Sequence, residues 1–187
     1  MTPKSAVPVS GTGTILEAMI QRGLPISLVI ADRPCRGAEI AQAAKIQTHI
    51  LPRIFKKDFD RYEFTLDFMR LLDGHRIGLV AMAGFMTIFD KIIFSYYGGR
   101  ITNIHPALLP SFKGDHAVRD ALAFGVKVTG TTIHFATAEL DTGPIIAQEA
   151  VPVIEGDTVE TLHERIKLVE RRLYPEVVSK LLQTISC

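Results

Sequence analysis

Short apolar runs alternate with amphipathic stretches along the first half of the chain. Apolar residues cluster in the short runs and recur every three or four positions in the longer stretches, which predicts strands and helices in turn. The predicted elements, strand and helix alternately, span residues 6–9, 15–22, 26–31, 38–46, 48–51 and 59–72. This alternation is typical of βαβ units, so it predicts an α/β fold with a mostly parallel sheet flanked by helices.

The second half of the chain keeps this alternation only in part. The predicted elements are strand 77–82, helix 91–97, strand 100–104, helix 116–124, strands 128–137 and 145–153, and helix 157–183. No helix separates the last two strands, so we expect them to form an antiparallel or mixed edge. We expect the final helix to begin at a capping pair of Asp157 and Glu160 and to kink at Pro175.

Length and composition exclude several classes of protein. A chain of 187 residues, 47% of them apolar, suits a single domain, 1–187, with a sizeable core. With 21 basic and 20 acidic residues, the net charge of +1 argues against a general electrostatic grip on nucleic acid or on an anionic membrane. The most apolar window, residues 77–89, is shorter than the ~20 residues of a spanning helix. We therefore expect small-molecule substrates as partners, and neither nucleic acid nor membrane.

The N-terminal stretch and the cysteines give no sign of export. Residues 1–10 lack an apolar segment of signal-peptide length, so we expect a cytoplasmic protein. Cys35 and Cys187 have neither metal nor redox spacing and are expected to be reduced thiols. No pair of histidines has zinc spacing, so no metal is expected. The sequence leaves the oligomeric state open, with a homodimer as one alternative.

A histidine stands between an amide side chain and a proline at the end of the predicted strand 100–104, in Asn103-Ile104-His105-Pro106. An imidazole held at a fixed height above a sheet suits general acid catalysis. A lone histidine beside a strand is nevertheless more often a satisfied structural residue. Asp141 lies in a turn that contains Gly143 and Pro144, where aspartate is by default a turn former. Each residue alone is best explained by a structural role. Only the presence of both His105 and Asp141 favours a catalytic role for either.

A glycine-containing loop, Ser10-Gly11-Thr12-Gly13-Thr14, follows the first predicted strand and opens the first helix. Its backbone N–H groups, its hydroxyls and the helix N-terminus can bind a phosphate. The loop lacks the third glycine of the dinucleotide fingerprint and the Gly-Lys-Ser/Thr of a nucleoside triphosphate loop. A plain tight turn is the alternative. If a ligand binds here, a mononucleotide or sugar phosphate fits better than NAD or ATP.

Five further polar residues carry no decisive local signal. Arg61 reads first as a solvated helix cation, and Lys167 and Glu170, about one helical turn apart, read first as an exposed helix face. His116 is either a loop residue that moves over a ligand or a helix start. His134 alternates with apolar neighbours, so it faces either a pocket or a satisfied core position. Local sequence does not decide between these interpretations.

Six sequence blocks, taken in order, resemble the glycinamide ribonucleotide transformylases, the folate-dependent formyltransferases of de novo purine synthesis. The blocks lie at residues 10–14, 83–86, 103–110, 130–134, 139–144 and 170–175 and extend over nearly the whole chain. The resemblance implies a Rossmann-like formyltransferase fold, with a phosphate-binding part at about 1–100 and a catalytic and folate-binding part at about 101–187. It implies formyl transfer from 10-formyltetrahydrofolate, as co-substrate, to the amine of glycinamide ribonucleotide, without a metal.

The resemblance also implies roles for the matching residues. The implied catalytic residues are Asn103, His105 and Asp141. The implied phosphate and ribose side consists of Gly13, Thr14, Ile15, Lys167, Leu168, Val169 and Glu170. The implied folate side consists of Arg61, Met86, Thr87, Ile88, Phe89, Asn103, Thr137, Ala138, Glu139, Leu140 and Asp141. His116 and His134 are further candidates for the pocket wall.

Three residues depart from the pattern of this family. Ile15 stands where many relatives carry Asn, and Thr87 where Arg is common. Pro8 lies in the predicted first strand, where a bulge or a strand edge would tolerate the missing N–H. One alternative is therefore a non-catalytic folate- or phosphosugar-binding relative. A second alternative is a 10-formyltetrahydrofolate hydrolase, which would use the same catalytic residues with water as the acceptor. A methionyl-tRNA formyltransferase is disfavoured, because the chain has no basic excess for tRNA and no added C-terminal domain.

Overall fold

The computed structural model describes residues 3–53 and 59–185. Cys187 and residues 1–2 of the N-terminal stretch lie outside the described residues. The elements within these ranges are β1 (Lys4–Val9), α1 (Thr14–Gln21), β2 (Ile26–Ala31), α2 (Arg36–Ala43), β3 (Thr48–Ile50), α3 (Arg61–Gly74), β4 (Ile77–Met82), α4 (Ile92–Tyr97), β5 (Ile101–His105), α5 (Ala117–Phe124), β6 (Val128–Phe135), β7 (Ile145–Pro152) and α6 (Val159–Thr184). Among the described helices, none has both the length and the apolar character needed to cross a membrane.

The strands form one sheet in the order β3-β2-β1-β4-β5-β6-β7. Strands β1 to β5 pair in parallel, and β6 and β7 add an antiparallel edge. The predicted mostly parallel sheet with a mixed edge is confirmed. In open parallel sheets, ligands bind beyond the carboxyl ends of the strands. The loops after β1, β4 and β5 leave the centre of the sheet at that end.

Alternate side chains of the central strands enter two apolar layers, because successive side chains of a strand point to opposite faces. On one face, residues such as Val7 and Val29 pack with α1, α2 and α6. On the other face, residues such as Leu28 pack with α3 and α4. The buried hydroxyl of Tyr174 on α6 donates to the carbonyl of Thr102 on β5 over 3.0 Å. This bond ties the long C-terminal helix to the strand that carries the candidate catalytic histidine.

The cap of the final helix differs from its prediction. Its N-cap is Thr158, whose side chain accepts from the N–H of Thr161, so the predicted cap by Asp157 and Glu160 is wrong. The Asp157 carboxylate instead makes two 2.8 Å contacts with the Arg165 guanidinium. Thr158, the next residue, therefore caps the first turn of α6.

Pro8 and Pro175 lie in the interior of regular elements. Helix α6 runs through Pro175 to Thr184. Pro8 lies in β1, which is a central strand rather than an edge, and the register shifts of β1 fall near Ser5 rather than at Pro8. The Pro8 carbonyl accepts from Ala83 on the β4 side, so the missing N–H faces that side too. The regular pairing of β1 with β4 ends at Ala6, so this central strand lacks one hydrogen bond to β4 at Pro8.

Candidate active site

Two neighbouring strands carry the polar side chains at the centre of the candidate site. Asn103 and His105 stand two positions apart on β5, and His134 on β6 is the direct partner of Asn103. The Nδ2 atom of Asn103 lies 3.3 Å from Nε2 of His134. The sequence did not decide whether His134 faces a pocket or the core. In the structure it contacts Asn103, a predicted catalytic residue.

Asp141 reaches the same cluster from the turn between β6 and β7. Its Oδ2 atom lies 3.4 Å from Nδ1 of His105 and accepts from the N–H of Gly114 over 2.9 Å. Its Oδ1 atom lies 3.6 Å from Nε2 of His134. All three side chains are buried. The structure therefore places His105 and His134 around the Asp141 carboxylate and connects Asn103 to this group through His134.

Hydrogen bonds to carbonyls define which ring nitrogens carry protons. His105 Nε2 lies 2.8 Å from the carbonyl of Phe112, which can only accept, so this nitrogen carries a proton. An imidazolium would place a second proton on Nδ1, facing Asp141. His134 Nδ1 donates to the carbonyl of Phe135 over 2.9 Å. His134 Nε2 lies between the Asn103 amide and Oδ1 of Asp141, and the Asn103 amide keeps a second N–H that can bind a ligand.

Burial and hydrogen bonding act in opposite directions on the Asp141 carboxylate. Burial raises its pKa, but the side chain of His134, the N–H of Gly114 and the charge of His105 together outweigh burial. The pKa of Asp141 is therefore held below its usual value, because these groups favour the charged form. The site contains an ionised carboxylate at neutral pH.

Glu170 on α6 is the second buried carboxyl group near His105. Its Oε1 atom lies 3.2 Å from the hydroxyl of Thr131, which also lies 3.1 Å from the carbonyl of His105. Burial raises the pKa of Glu170 to about 7, against the smaller opposing effects of Thr131, Lys167 and Arg171. A protonated Glu170 can donate to Thr131, which then donates to His105, so one chain of hydrogen bonds joins helix and strand.

The turn that carries Asp141 is held by its own hydrogen bonds and by a glycine. The hydroxyls of Thr137 and Thr142 donate to the carbonyl of Glu139 over 3.0 and 3.1 Å. Asp141 itself adopts a left-handed backbone conformation, with φ of 54°. A Cβ atom at Gly143 would lie 1.7 Å from the carbonyl oxygen of Phe135, so only glycine fits there.

The predicted phosphate loop lies where the starts of α1 and α2 approach each other closely. Gly13 has φ of 72°, and a Cβ atom there would lie 2.5 Å from Cα of Gly37 at the start of α2. The N–H of Gly37 donates to the carbonyl of Gly11 over 2.9 Å. Thr14 begins α1 half-buried. The side chain of Ile15 is buried in the core, so this residue can offer a ligand only its backbone.

The four residues of α6 assigned to the ribonucleotide side point in different directions, because successive helical residues are ~100° apart. Leu168 is 63% exposed, whereas Val169 packs against an apolar cluster beside α5. Glu170 is buried, and Lys167 is close enough to lower its pKa electrostatically. The geometry thus favours Lys167 and Glu170 as the pair that can act on one ligand.

Residues 86–89, called the folate strip below, alternate between exposed and buried side chains. Met86 and Ile88 are 54% and 50% exposed, whereas Thr87 and Phe89 are 4% and 7% exposed. Phe89 packs in the same core cluster as Ala136, the residue before the turn 137–141. Leu140 and Ala138 in this turn are both exposed. Of the four strip residues, only Met86 and Ile88 present side chains to solvent.

Two predicted residues stand apart from the cluster of Asn103, His105 and Asp141. Arg61 is the exposed first residue of α3, and His116 is an exposed residue beside Asp115 at the start of α5. The loop after β5 adds two backbone contacts that the sequence did not reveal, from the Phe112 carbonyl to His105 and from the Gly114 N–H to Asp141. In residues 3–53 and 59–185, no group of three or more His, Cys, Asp or Glu side chains could hold a metal ion.

Most of the chain matches a known protein family. A family profile described as formyl transferase matches residues 3–178 of the chain. The chain belongs to this family. The formyltransferase resemblance expected from the sequence is thereby confirmed, and formyl transfer is the activity class of this enzyme.

Named relatives of this formyltransferase agree with the family assignment. It is 44% identical over 180 residues to phosphoribosylglycinamide formyltransferase of Mycobacterium tuberculosis, covering 94% of this chain and 83% of that protein. It is 37% identical over 187 residues to the Bacillus subtilis protein of the same name, covering 96% and 94% of the two chains. The crystal structure of phosphoribosylglycinamide formyltransferase from Anaplasma phagocytophilum is similar at a TM-score of 0.90 and 39% identity, covering 98% and 89%. The chain is therefore a member of the phosphoribosylglycinamide formyltransferase family.

Proposed function

We propose that this enzyme transfers the formyl group of 10-formyltetrahydrofolate to the amine of 5'-phosphoribosylglycinamide, yielding formylglycinamide ribonucleotide for purine (IMP) synthesis in the cytoplasm. The observation that carries the proposal is the cluster at the end of β5, where the half-buried Asn103 lies beside the buried pair of His105 and Asp141. Relatives that bear the name of this activity support the choice of substrates.

The proposed reaction begins with attack of the glycinamide amine on the formyl carbon. The formyl oxygen becomes negative in the tetrahedral intermediate and needs preorganised donors. The Asn103 amide has an N–H that His134 does not use. The Nε2–H of His105 donates to the Phe112 carbonyl, and the formyl oxygen would take the place of that carbonyl. Both donors lie on one rigid strand, which supports a fixed site for the oxyanion.

Proton transfer completes the reaction. The attacking nitrogen loses one proton, and the folate nitrogen gains one when the carbon–nitrogen bond to folate breaks. The ionised Asp141 carboxylate can accept the proton, directly or through water, and can stabilise a charged His105. The reaction balances without a covalent enzyme intermediate.

The two substrates would bind on either side of this cluster. The ribonucleotide phosphate is assigned to the backbone of Gly13, Thr14 and Ile15, since the N–H groups of a first helical turn have no partner within the helix. Lys167 and Glu170 would complete the ribonucleotide side. The folate side is assigned to Arg61, the folate strip and the turn 137–141. Exposed Met86, Ile88 and Leu140 supply the apolar surface that a flat heterocycle requires.

The test is a paired assay of the purified protein with 10-formyltetrahydrofolate, with and without the ribonucleotide. Folate deformylation and formylated ribonucleotide are followed together. We expect turnover only when both substrates are present, with one product molecule for each folate deformylated. Deformylation without the ribonucleotide would instead identify a hydrolase. Folate binding without any turnover would identify a non-catalytic relative.

A further inference from the structure

Two consecutive residues of the folate strip are held by polar groups from three other loops. The N–H of Met86 donates to the hydroxyl of Ser10, after β1, over 2.8 Å. The carbonyl of Met86 accepts from the guanidinium of Arg53, after β3, over 3.0 Å. The hydroxyl of Thr87 donates to Oδ2 of Asp32, after β2, over 2.7 Å. The strip is thus fixed at its backbone and at one buried side chain.

Asp32 is the central member of this group. It is fully buried, and its carboxylate accepts from Nε and Nη2 of Arg33 over 2.9 and 3.1 Å in addition to Thr87. Its backbone carbonyl accepts from the N–H of Arg53 over 2.8 Å, and its N–H donates to Val9. Asp32 therefore joins the ends of β1, β2 and β3 to the strip that follows β4. The adjacent guanidinium offsets the cost of burying the charge.

The exposed side chains of the strip indicate that the contacts of Asp32 and Thr87 have a role beyond packing. Thr87 and Phe89 are buried, whereas Met86 and Ile88, which alternate with them, are exposed. A ligand on the strip would meet those two side chains and the strip backbone, whose orientation depends on the Thr87 anchor. Preorganised contacts of this kind raise affinity, because less order is lost on binding.

We propose that Asp32 is a positioning residue for folate, which acts through Thr87 and does not itself touch the ligand. The inference rests on the proposed function, since it takes residues 86–89 as the folate strip. The anchor also accounts for the departure at position 87. The threonine of this chain places its hydroxyl on the Asp32 carboxylate.

The test compares four variants by steady-state kinetics for both substrates and by calorimetric affinity for tetrahydrofolate. Thr87→Val removes the hydroxyl at nearly constant shape, and Asp32→Asn removes the charge. Thr87→Ser keeps the hydroxyl. Thr129→Val is the matched control, because it removes a different buried threonine hydroxyl, on β6. Melting temperatures are recorded for all four.

We expect Thr87→Val and Asp32→Asn each to raise the folate KM and the tetrahydrofolate Kd about 10-fold, the loss typical of one charge-assisted hydrogen bond. The KM for the ribonucleotide and kcat should change less than about 2-fold, and Thr87→Ser should restore the folate KM. A Thr87→Val variant with reduced melting temperature but unchanged folate KM and Kd would overturn the proposal. So would equal losses for both substrates.

The two proposals fail in distinguishable ways. If the unaltered enzyme binds tetrahydrofolate but transfers no formyl group, the transferase proposal fails, and the Kd values still decide the role of Asp32. If the unaltered enzyme does not bind folate at all, the role of Asp32 fails with it. If the enzyme transfers formyl groups but Thr87→Val leaves its folate affinity unchanged, only the positioning role of Asp32 is refuted.

Discussion

Nδ1 of His105 lies 3.4 Å from Oδ2 of Asp141, and both side chains are buried. Because Nε2 of the same ring already donates to the Phe112 carbonyl, the carboxylate faces the nitrogen that gains a proton when the ring becomes charged. The Asp141 carboxylate thus lies opposite Nδ1 of the ring whose Nε2 faces the position proposed for the formyl oxygen.

Removing either member of this pair should impair chemistry rather than folding. We expect His105→Ala and Asp141→Ala each to lower kcat by ~10²-fold or more, with far-ultraviolet circular dichroism unchanged. Asp67→Ala is the control, since this carboxylate is exposed on α3 and pairs only with Arg70 among the described contacts. Near-normal turnover of either site variant would remove that residue from the proposed mechanism.

Glu170→Gln should change the pH dependence of stability in the absence of substrate. The Glu170 pKa is raised to about 7 in the folded state, above its ordinary 4.5. As pH rises from 4.5 to 7, the unfolded chain releases this proton while the folded chain retains it, so the native enzyme loses stability. The variant avoids that loss and should gain up to about 3 kcal/mol relative to the native enzyme between pH 4 and pH 8.

Urea unfolding at both pH values measures this gain. The same variant should raise the KM for the ribonucleotide, because Glu170 is assigned to that substrate. Stability differences that do not vary with pH would show that Glu170 ionises normally in the folded protein.

The turn carrying Asp141 should not tolerate a methyl group at Gly143. A Cβ atom there would lie 1.7 Å from a backbone oxygen, so Gly143→Ala must displace the turn or the strand. We expect a loss of about 1–3 kcal/mol in unfolding free energy and a fall in kcat as Asp141 moves. Gly74→Ala is the control, since a Cβ atom there meets nothing within 4 Å. Gly143→Ala with unchanged kcat would separate the turn from catalysis.

Two threonines on β6 should respond oppositely to the same substitution. Thr129 buries its hydroxyl without a hydrogen-bond partner among the described residues, whereas the Thr131 hydroxyl contacts Glu170 and the His105 carbonyl. We expect Thr129→Val to stabilise the protein by about 1 kcal/mol and Thr131→Val to destabilise it by a similar amount or more. Thermal unfolding of both variants tests the contrast, and a shared sign would contradict it.

The architecture could be predicted from the sequence because the elements differ in hydrophobic period. The parallel units at residues 6–72 and the antiparallel edge formed by the last two strands follow from those periods and from the missing helix between β6 and β7. The N-cap of α6 could not be predicted in this way. Asp157 and Thr158 are both good caps, and the choice depends on the contact of Asp157 with Arg165, which appears only in the folded chain.

The candidate site could be predicted to a similar, partial extent. Asn103 and His105 share one face of a strand, so their proximity follows from the two-residue period. The approach of Asp141 came from family resemblance, because a turn gives no hydrophobic signal. The exposed and buried sides of the folate strip were not predicted. They depend on the contact between Thr87 and Asp32, 55 positions away in the chain.

The antiparallel pairing of β6 with β5 places His134 beside Asn103 and Thr132 beside His105. A slip of two residues along this pairing would preserve every inward and outward side chain, yet it would separate these partners by ~7 Å. The inward and outward pattern of side chains therefore does not exclude this slip, whereas the proposed catalytic contacts would be lost. Enzymatic activity recovered during refolding would report the correct alignment of these two strands, a step that spectroscopic signals of overall secondary structure do not resolve.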